Sequence, residues 1–133
     1  MIRHTTRRVL VVDDNRDSVE TLSMLLRIKG HDARIADSGE EAIKIADDYQ
    51  PHVVVLDLSL PGMDGYEVAQ RLRERPYGGH MVLVALTGWS GREVQAKAAA
   101  AGFDFHLLKP IEWPELEQVL HAEPAATTRG PRN

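Results

Sequence analysis

The sequence predicts an α/β fold in which helices cover both faces of a parallel β-sheet. Short apolar runs rich in β-branched residues alternate five times with segments whose apolar residues have the spacing of a helix face. Four of the five runs lead into charged or hydroxyl residues, which is typical of buried parallel strands that share one carboxyl edge. A chain of 133 residues is long enough to form one domain with a proper hydrophobic core.

The first strand is predicted over residues 8–12, and it leads directly into Asp13 and Asp14. Asn15 follows, and its side-chain oxygen can accept the hydrogen bond that caps a helix N-terminus. The first helix is then predicted from an apolar stripe at helical spacing, which consists of Val19, Leu22, Leu25 and Leu26. Gly30 indicates where this helix ends.

The second strand and helix lie in a less apolar part of the chain. Residues 32–36 have the weak apolar pattern of an edge strand. Ser38 and Glu41 have the spacing of a capping box, which satisfies backbone N–H groups at a helix start. The helix that follows has one apolar face, which consists of Ala42, Ile43, Ala46 and Tyr49. Pro51 ends it, because a residue before proline disfavours helical backbone.

The central strand over residues 53–56 is apolar on both faces and ends at Asp57. The following segment, residues 61–65 with the sequence PGMDG, contains the proline and glycines that tight turns require. A third helix is predicted roughly from Gly65 to Arg75, and residues 76–79 break it. Its inward-facing residues are Val68, Ala69 and Leu72.

The last third of the chain repeats strand and helix twice. Buried strands are predicted over residues 81–86 and 105–108, and helices over residues 91–101 and from Pro114 onward. The first of these strands leads to Thr87 and the second to Lys109-Pro110. The inner faces of the two helices consist of Val94, Ala98, Ala101, Leu116, Val119 and Leu120. We expect the folded domain over residues 1–123 and a flexible tail over residues 124–133.

The composition excludes several classes of protein. The net charge of −4 argues against a general nucleic-acid-binding protein. The absence of cysteine excludes a disulfide framework, a thiol nucleophile and a cysteine-based zinc site. The apolar runs are far too short to span a membrane, and no apolar signal core lies near the N-terminus. We therefore expect a cytoplasmic protein that binds neither nucleic acid nor membrane.

Five polar residues end four of the predicted strands: Asp13, Asp14, Asp57, Thr87 and Lys109. Because the carboxyl ends of parallel strands meet at one edge, we expect these side chains to converge. Three neighbouring carboxylates repel one another, and Mg²⁺ relieves this repulsion while also binding phosphate oxygens. A carboxylate can be the nucleophile that accepts a phosphoryl group, and a lysine and a hydroxyl can stabilise the transferring oxygens. The pattern predicts a Mg²⁺-dependent phosphoryl site rather than five unrelated helix caps and ion pairs.

Receiver domains of two-component response regulators resemble this chain in four stretches, in the same order and spacing: VLVVDDN, VVVLDLSLPGMDG, VALTG and HLLKP. The resemblance covers Arg8 to about His121 and implies a flavodoxin-like doubly wound fold with strand order 2-1-3-4-5 and five helices. It implies that Asp57 accepts a phosphoryl group from a phosphohistidine of a histidine kinase or a histidine phosphotransfer protein. It also implies a set of Mg²⁺ ligands, which are Asp13, Asp14, Asp57 and the backbone carbonyl of Ser59.

The resemblance further implies how the state of Asp57 would be reported. Thr87 and Lys109 match the switch hydroxyl and lysine of the family, and Lys109-Pro110 matches its cis peptide. A downstream protein would bind the face formed by the fourth helix, the fifth strand and the fifth helix. His106 replaces the usual aromatic residue, as in receivers attached to hybrid histidine kinases, and it is either a switch residue or an ordinary strand residue. Trp89 is either a loop aromatic that contacts a partner or a shield that slows hydrolysis of the phosphorylated site.

Two other functions are compatible with parts of this pattern. Haloacid-dehalogenase-like phosphatases use a similar site, but they carry a second Asp two residues after the nucleophile, where this chain has Ser59. A pseudo-receiver would bind partners without being phosphorylated, but such domains usually lack a site residue that this chain retains. We expect a domain that catalyses its own phosphorylation and slow autodephosphorylation. It would be a monomer or weak dimer, either a stand-alone regulator or a receiver from a longer hybrid kinase.

Overall fold

Five parallel strands form one sheet in the order β2-β1-β3-β4-β5, so the predicted fold and strand order are confirmed. The computed structural model describes residues 6–60, 62–89 and 91–122. The strands are β1 (Arg8–Val12), β2 (Asp32–Ala36), β3 (Val53–Asp57), β4 (Val82–Thr87) and β5 (Phe105–Leu108). The helices are α1 (Arg16–Ile28), α2 (Gly39–Tyr49), α3 (Gly65–Arg73), α4 (Arg92–Ala101) and α5 (Trp113–Leu120), with a 3₁₀ helix over Gly78–His80. Among the helices of these ranges, none combines the length and the apolar character that crossing a membrane requires.

The sheet separates two hydrophobic cores, because successive side chains of a strand point to opposite faces. On one face, Leu10 and Leu83 pack with α2, α3 and α4. The helix residues of this core are Ala42, Ile43, Ala46, Val68, Ala69, Leu72, Ala98 and Ala101. On the other face, Val11 and Val84 pack with α1 and α5. The helix residues of the second core are Val19, Leu26, Leu116, Val119 and Leu120.

The predicted helix caps are present. The Asn15 side chain accepts a hydrogen bond from the backbone N–H of Ser18, and the Ser38 hydroxyl accepts one from Glu41 N–H at 3.1 Å. The Glu41 carboxylate in turn accepts from the backbone N–H of Asp37, one residue before the cap. These side chains satisfy N–H groups that have no partner within the helix, and they fix where α1 and α2 begin.

The third helix ends at Arg73 rather than at the predicted residue 75. The Arg73 guanidinium donates to the carbonyl oxygens of Gly78, Met81 and Gly102, and it forms an ion pair with Asp104 at 2.6 Å. The Arg73 side chain is 15% exposed and that of Asp104 is fully buried. A basic residue in the last helical turn normally points into solvent, so the sequence pattern could not indicate this buried role.

Other boundaries differ from the prediction by one residue. The last helix begins at Trp113, so Pro114 is its second residue rather than its first. Strand β4 extends to Thr87, which the sequence placed just after the strand. The predicted turn residue Pro61 and the predicted tail over residues 124–133 lie outside the described residues, so those two predictions stay predictions.

Candidate functional site

Three carboxylates meet at the carboxyl edge of the sheet, as predicted. Asp13 and Asp14 follow β1, and Asp57 is the last residue of the neighbouring strand β3. One oxygen from each carboxylate lies within 4.8 Å of the others. Asp13 and Asp57 are buried, at 6% and 3% exposure, whereas Asp14 is exposed. Two carboxylates of the cluster are therefore shielded from solvent, and the third, Asp14, is accessible to it.

Asp57 is held by two hydrogen bonds that occupy different carboxylate oxygens. The Lys109 ammonium donates to Oδ2 at 2.8 Å, and the backbone N–H of Ser59 donates to Oδ1 at 2.9 Å. Lys109 follows β5 and precedes Pro110 through a cis peptide bond, as the resemblance implies. Lys109 therefore reaches from the end of β5 to the end of β3, and its positive charge contacts the Asp57 carboxylate.

Gly65 allows the chain after Asp57 to pack closely. A Cβ atom at this position would lie 2.8 Å from the Cα of Leu58 and 3.1 Å from the Asp57 carbonyl oxygen. Any side chain at Gly65 would therefore displace the backbone that carries Asp57 and Leu58. The absence of a side chain at Gly65 thus lets the start of α3 pack against the backbone of Asp57 and Leu58.

The chemistry of the three carboxylates fits a hard divalent cation. Burial raises the pKa of Asp13, the backbone N–H of Asn15 opposes this effect, and the nearby Asp57 carboxylate raises the pKa further. Lys109 lowers the pKa of Asp13, but this effect is smaller than the others, and the pKa stays above its ordinary value. Oxygen ligands of this kind, partly open to solvent, suit Mg²⁺, which usually keeps several waters.

Thr87 lies at the end of β4 and is 2% exposed. Its hydroxyl oxygen accepts a hydrogen bond from the backbone N–H of Trp89 at 3.1 Å, and its carbonyl accepts from Lys109 N–H. Trp89 itself is 74% exposed. The hydroxyl is therefore linked through the backbone to the loop that carries the exposed indole, and not directly to the carboxylate cluster.

His106 lies in β5 opposite Ala85 of β4. Its strand neighbours Phe105 and Leu107 pack against the core of α1 and α5, so His106 faces the opposite side, toward α4. The ring is half-buried, and its Nε2 atom is buried with no hydrogen-bond partner among the described residues. A partly exposed strand residue is one of the two readings that the sequence allowed, but no local pattern indicates the buried Nε2.

A cleft of about 950 Å³ extends from the carboxylates along the groove between α1 and α5. Its polar end contains Asp13, Asp14, Asp57 and Lys109. Its apolar end includes Leu22, Leu25, Ile111 and Trp113. The sequence pattern placed the two leucines on a buried helix face. Their half-buried position beside the acidic site depends on how α5 packs, which no local pattern indicates.

Comparisons with known proteins agree with this geometry. The sequence model of one protein family, the response regulator receiver domain, matches residues 9–121. The response regulator PleD of Caulobacter vibrioides is 32% identical over 105 residues, which are 79% of this chain and 23% of PleD. The chain therefore spans less than a quarter of that relative.

Solved structures give the same result. The chemotaxis response regulator CheY4 of Vibrio cholerae is 27% identical, with a TM-score of 0.82 over 87% of this chain and 100% of CheY4. The receiver domain of sensor histidine kinase PA1611 from Pseudomonas aeruginosa is 25% identical, with a TM-score of 0.78 over 87% of this chain and 95% of that one. That structure has a magnesium ion coordinated in its active site cleft. With its strand order, its acidic edge and the family match over most of its length, this chain belongs to the response regulator receiver domains of two-component signalling.

Proposed function

We propose that Asp57 accepts a phosphoryl group from a phosphohistidine of a histidine kinase or a histidine phosphotransfer protein. The observation that carries the proposal is the buried Asp57 carboxylate, which lies among two other carboxylates and contacts Lys109 at 2.8 Å. A structural aspartate would not need two acidic neighbours, because their repulsion costs free energy when no ligand is bound.

The residues of the site have distinct roles in this reaction. Asp13, Asp14, Asp57 and the Ser59 carbonyl would hold Mg²⁺, and the ion would offset the negative charge of the carboxylates and of the incoming phosphoryl oxygens. The Ser59 N–H and Lys109 orient the Asp57 carboxylate before the donor arrives. An Asp57 oxygen then forms a bond to phosphorus as the phosphorus–nitrogen bond of the phosphohistidine breaks. Because Lys109 contacts Asp57, its ammonium could also stabilise the negative charge on the phosphoryl oxygens.

The proposed switch involves the Thr87 hydroxyl. A phosphoryl group brings about two negative charges and three acceptor oxygens to Asp57. In this structure the Thr87 hydroxyl accepts a hydrogen bond from Trp89 N–H. When the hydroxyl turns to donate to a phosphoryl oxygen, its position relative to Trp89 N–H changes. The loop after β4 and the face formed by α4, β5 and α5 would respond, and a downstream protein would bind that face. His106 and Trp89 lie within or beside it and are proposed as switch residues.

Two alternatives are less well supported. The Asp-nucleophile phosphatase would need an acid two residues after Asp57, but Ser59 occupies that position and uses its backbone N–H to orient Asp57. A pseudo-receiver would bind partners without phosphorylation, yet this chain keeps the three carboxylates, Thr87 and Lys109. The remaining proposals follow from the favoured function: a cytoplasmic monomer or weak dimer, acting alone or within a longer hybrid kinase.

The intact mass of the protein after incubation with acetyl phosphate and Mg²⁺ tests the proposal. We expect a gain of one phosphoryl group that is lost in Asp57→Asn and in the presence of EDTA. Asp48→Asn is the matched control, because Asp48 is an exposed acid on α2, outside the cleft. A folded protein that gains no mass would contradict phosphorylation of Asp57 and favour the pseudo-receiver.

A further inference from the structure

The fourth helix packs into the core at one end only. Its buried residues are Ala98 and Ala101, both among its last four residues, whereas residues 92, 93 and 95–97 are exposed. Val94 is half-buried, but it belongs to neither of the two core clusters. Each of the other four helices buries at least two residues larger than alanine. Burial therefore contributes little to the stability of the leading turns of α4, residues 92–97.

The contacts that support the start of α4 are weak. Gly91 precedes the helix and offers no side-chain acceptor to the N–H groups of its first turn. The Lys97 ammonium lies 4.7 Å from the centroid of the Tyr66 ring on α3. A cation–π contact of an exposed lysine contributes less than the burial of an apolar side chain. Because an isolated helix of this length is marginal in water, the leading turns depend on these contacts.

The end of α4 is held more firmly. Two hydrogen bonds close its last turn, from the N–H groups of Gly102 and Phe103 at 3.1 Å and 3.0 Å. Phe103 is 4% exposed and belongs to the core on the α4 side of the sheet. Arg73 donates to the Gly102 carbonyl at 2.9 Å, and the same guanidinium pairs with the buried Asp104 carboxylate. The contacts that resist opening are thus concentrated in the anchored turn, residues 98–103.

We propose that the leading turns of α4 open as a local unit, that Arg73 keeps the anchored turn closed, and that phosphorylation of Asp57 favours the open form. The last part rests on the proposed function of Asp57. Its physical link is the hydrogen bond from Trp89 N–H to the Thr87 hydroxyl, because Trp89 lies three residues before α4. When the hydroxyl turns toward a phosphoryl oxygen and this bond is lost, the chain before α4 restrains the helix start less. The response is then a change in order confined to the leading turns.

Native-state hydrogen exchange, followed by NMR on the whole chain, tests the local opening. The reporters are Gln95 N–H, which donates to the Gly91 carbonyl at 3.1 Å, and Phe103 N–H in the anchored turn. After correction for intrinsic rates, we expect Gln95 N–H to exchange at least about tenfold faster, because its opening leaves the rest of the domain folded. Equal protection of the two amides would overturn the proposal.

Two glycine substitutions locate the boundary of the opening unit. Ala96 lies in the leading turns and Ala100 in the anchored turn, and both are exposed. Ala96→Gly should speed the exchange of Gln95 N–H about fivefold, because glycine disfavours the helical form that only the closed state requires at this position. Ala100→Gly is the matched control and should leave this rate unchanged, because residue 100 stays helical in both states. Equal effects of the two variants would mean that α4 opens as a whole, against the proposal.

Arg73→Lys tests the anchor while keeping a positive charge beside Asp104. A lysine cannot reproduce the several hydrogen bonds of the guanidinium. We expect Phe103 N–H to exchange about tenfold faster relative to the amides of β3, whose exchange requires unfolding of the whole domain. Arg71→Lys is the control on the same helix, because Arg71 forms an exposed pair with Glu67. An unchanged ratio in Arg73→Lys would refute the anchoring role.

Exchange in the phosphorylated protein tests the link to Asp57. With acetyl phosphate and Mg²⁺ present throughout, we expect Gln95 N–H to exchange about fivefold faster, which corresponds to the loss of one hydrogen bond, and Phe103 N–H to keep its rate. Asp57→Asn in the same mixture should show no change. A gain of phosphoryl mass without faster exchange at Gln95 would refute the link but keep the function of Asp57. Failure to gain mass would contradict that function and the link with it, whereas the opening measured without a donor does not depend on either.

Discussion

At the residue scale, the buried hydroxyl of Thr87 is hydrogen-bonded to the backbone of the loop that carries an exposed indole. The Thr87 hydroxyl accepts from Trp89 N–H at 3.1 Å, and the indole beyond it is 74% exposed. His106 faces the same side of the sheet, with a buried Nε2 that has no partner among the described residues. We propose Trp89 and His106 as the positions that affect the lifetime of the phosphorylated protein and its output.

Replacing Trp89 tests whether the indole shields the phosphorylated site. We expect Trp89→Ala to shorten the lifetime of the aspartyl phosphate by less than about tenfold, because a factor of ten would require about 1.4 kcal/mol of protection from a mostly exposed side chain. The measurement is loss of the added mass over time after the donor is removed. Identical lifetimes in the variant and the parent would leave Trp89 as a partner contact only.

Replacing His106 tests the switch assignment. We expect His106→Tyr to leave the rate of phosphorylation unchanged and to alter the affinity of the phosphorylated protein for its downstream partner. The physical reason is that a phenol fills the same space beside Ala85 but carries its hydroxyl beyond the position of the buried Nε2. Partner affinity that does not change would remove His106 from the mechanism.

At the scale of secondary-structure elements, Arg73 joins the ends of several of them. Its guanidinium contacts the carbonyl of Gly102 after α4, two carbonyls before β4, and the fully buried carboxylate of Asp104 before β5. Asp104 also accepts from Leu83 N–H, which belongs to β4. The end of α4 is therefore fixed to α3 and to the sheet. Its start at Arg92 follows Gly91, whose backbone φ is +134° and which provides no side-chain cap.

Removing Arg73 should destabilise the domain strongly. We expect Arg73→Ala to lower the free energy of unfolding by about 3–5 kcal/mol, because it leaves the buried Asp104 carboxylate without its cationic partner. Urea denaturation followed by circular dichroism measures this change. Arg71→Ala is the control on the same helix, since its exposed pair with Glu67 should contribute about 0.3–0.5 kcal/mol. Similar losses in the two variants would contradict the role assigned to Arg73.

The sequence predicts the elements well where local signals determine them. Asn15 and Ser38 identify helix starts because capping depends only on residues a few positions apart. The site carboxylates are predictable because each follows an apolar strand and parallel strands share an edge. The buried role of Arg73 and the apolar wall at Leu25 are not predictable in this way. Both depend on contacts between elements far apart in the chain, and their residue types are ordinary for exposed and core helix positions.

At the scale of the whole molecule, titratable side chains lie at both edges of the sheet. Opposite the carboxylates, the Nδ1 atoms of His31 and His52 accept hydrogen bonds from the backbone N–H groups of Arg7 and Arg8, at 3.1 Å and 2.9 Å. An imidazole can accept at Nδ1 only while that nitrogen is unprotonated. Protonation of either Nδ1 atom would therefore break a hydrogen bond that holds the start of β1.

Stability should therefore fall as the solution becomes acidic. Burial, with Arg8 and Arg7 nearby, lowers the pKa of His52 below its ordinary value of 6.5. The unfolded chain then binds more protons than the folded one, so the His52 contribution falls as pH drops through 6.5 and continues to fall until the folded pKa is reached. We expect the urea midpoint to decrease from about pH 7.5 to about pH 5.5, and His52→Gln to lessen that decrease.

His80→Gln is the matched control for this experiment. His80 lies near the same edge of the sheet but is exposed, so its replacement should leave the pH dependence as it is in the parent protein. A His52→Gln variant whose urea midpoint falls with pH as steeply as that of the parent would refute the contribution of His52. Carboxylates also affect stability in acid, and comparing the variants removes their common contribution.

The cleft beside Asp57 and the side chain of His106 lie on different sides of the sheet. The cleft that leads to Asp57 opens along α1 and α5, whereas His106 faces α4 on the opposite side. The proposed downstream face also includes α5, which lines the cleft, so only contacts confined to α4 and to the His106 side of β5 would be separate from the cleft. If the proposed phosphorylation holds, a partner whose contacts are confined to the α4 side would leave the cleft open, so Asp57 could be phosphorylated again while that complex stays assembled.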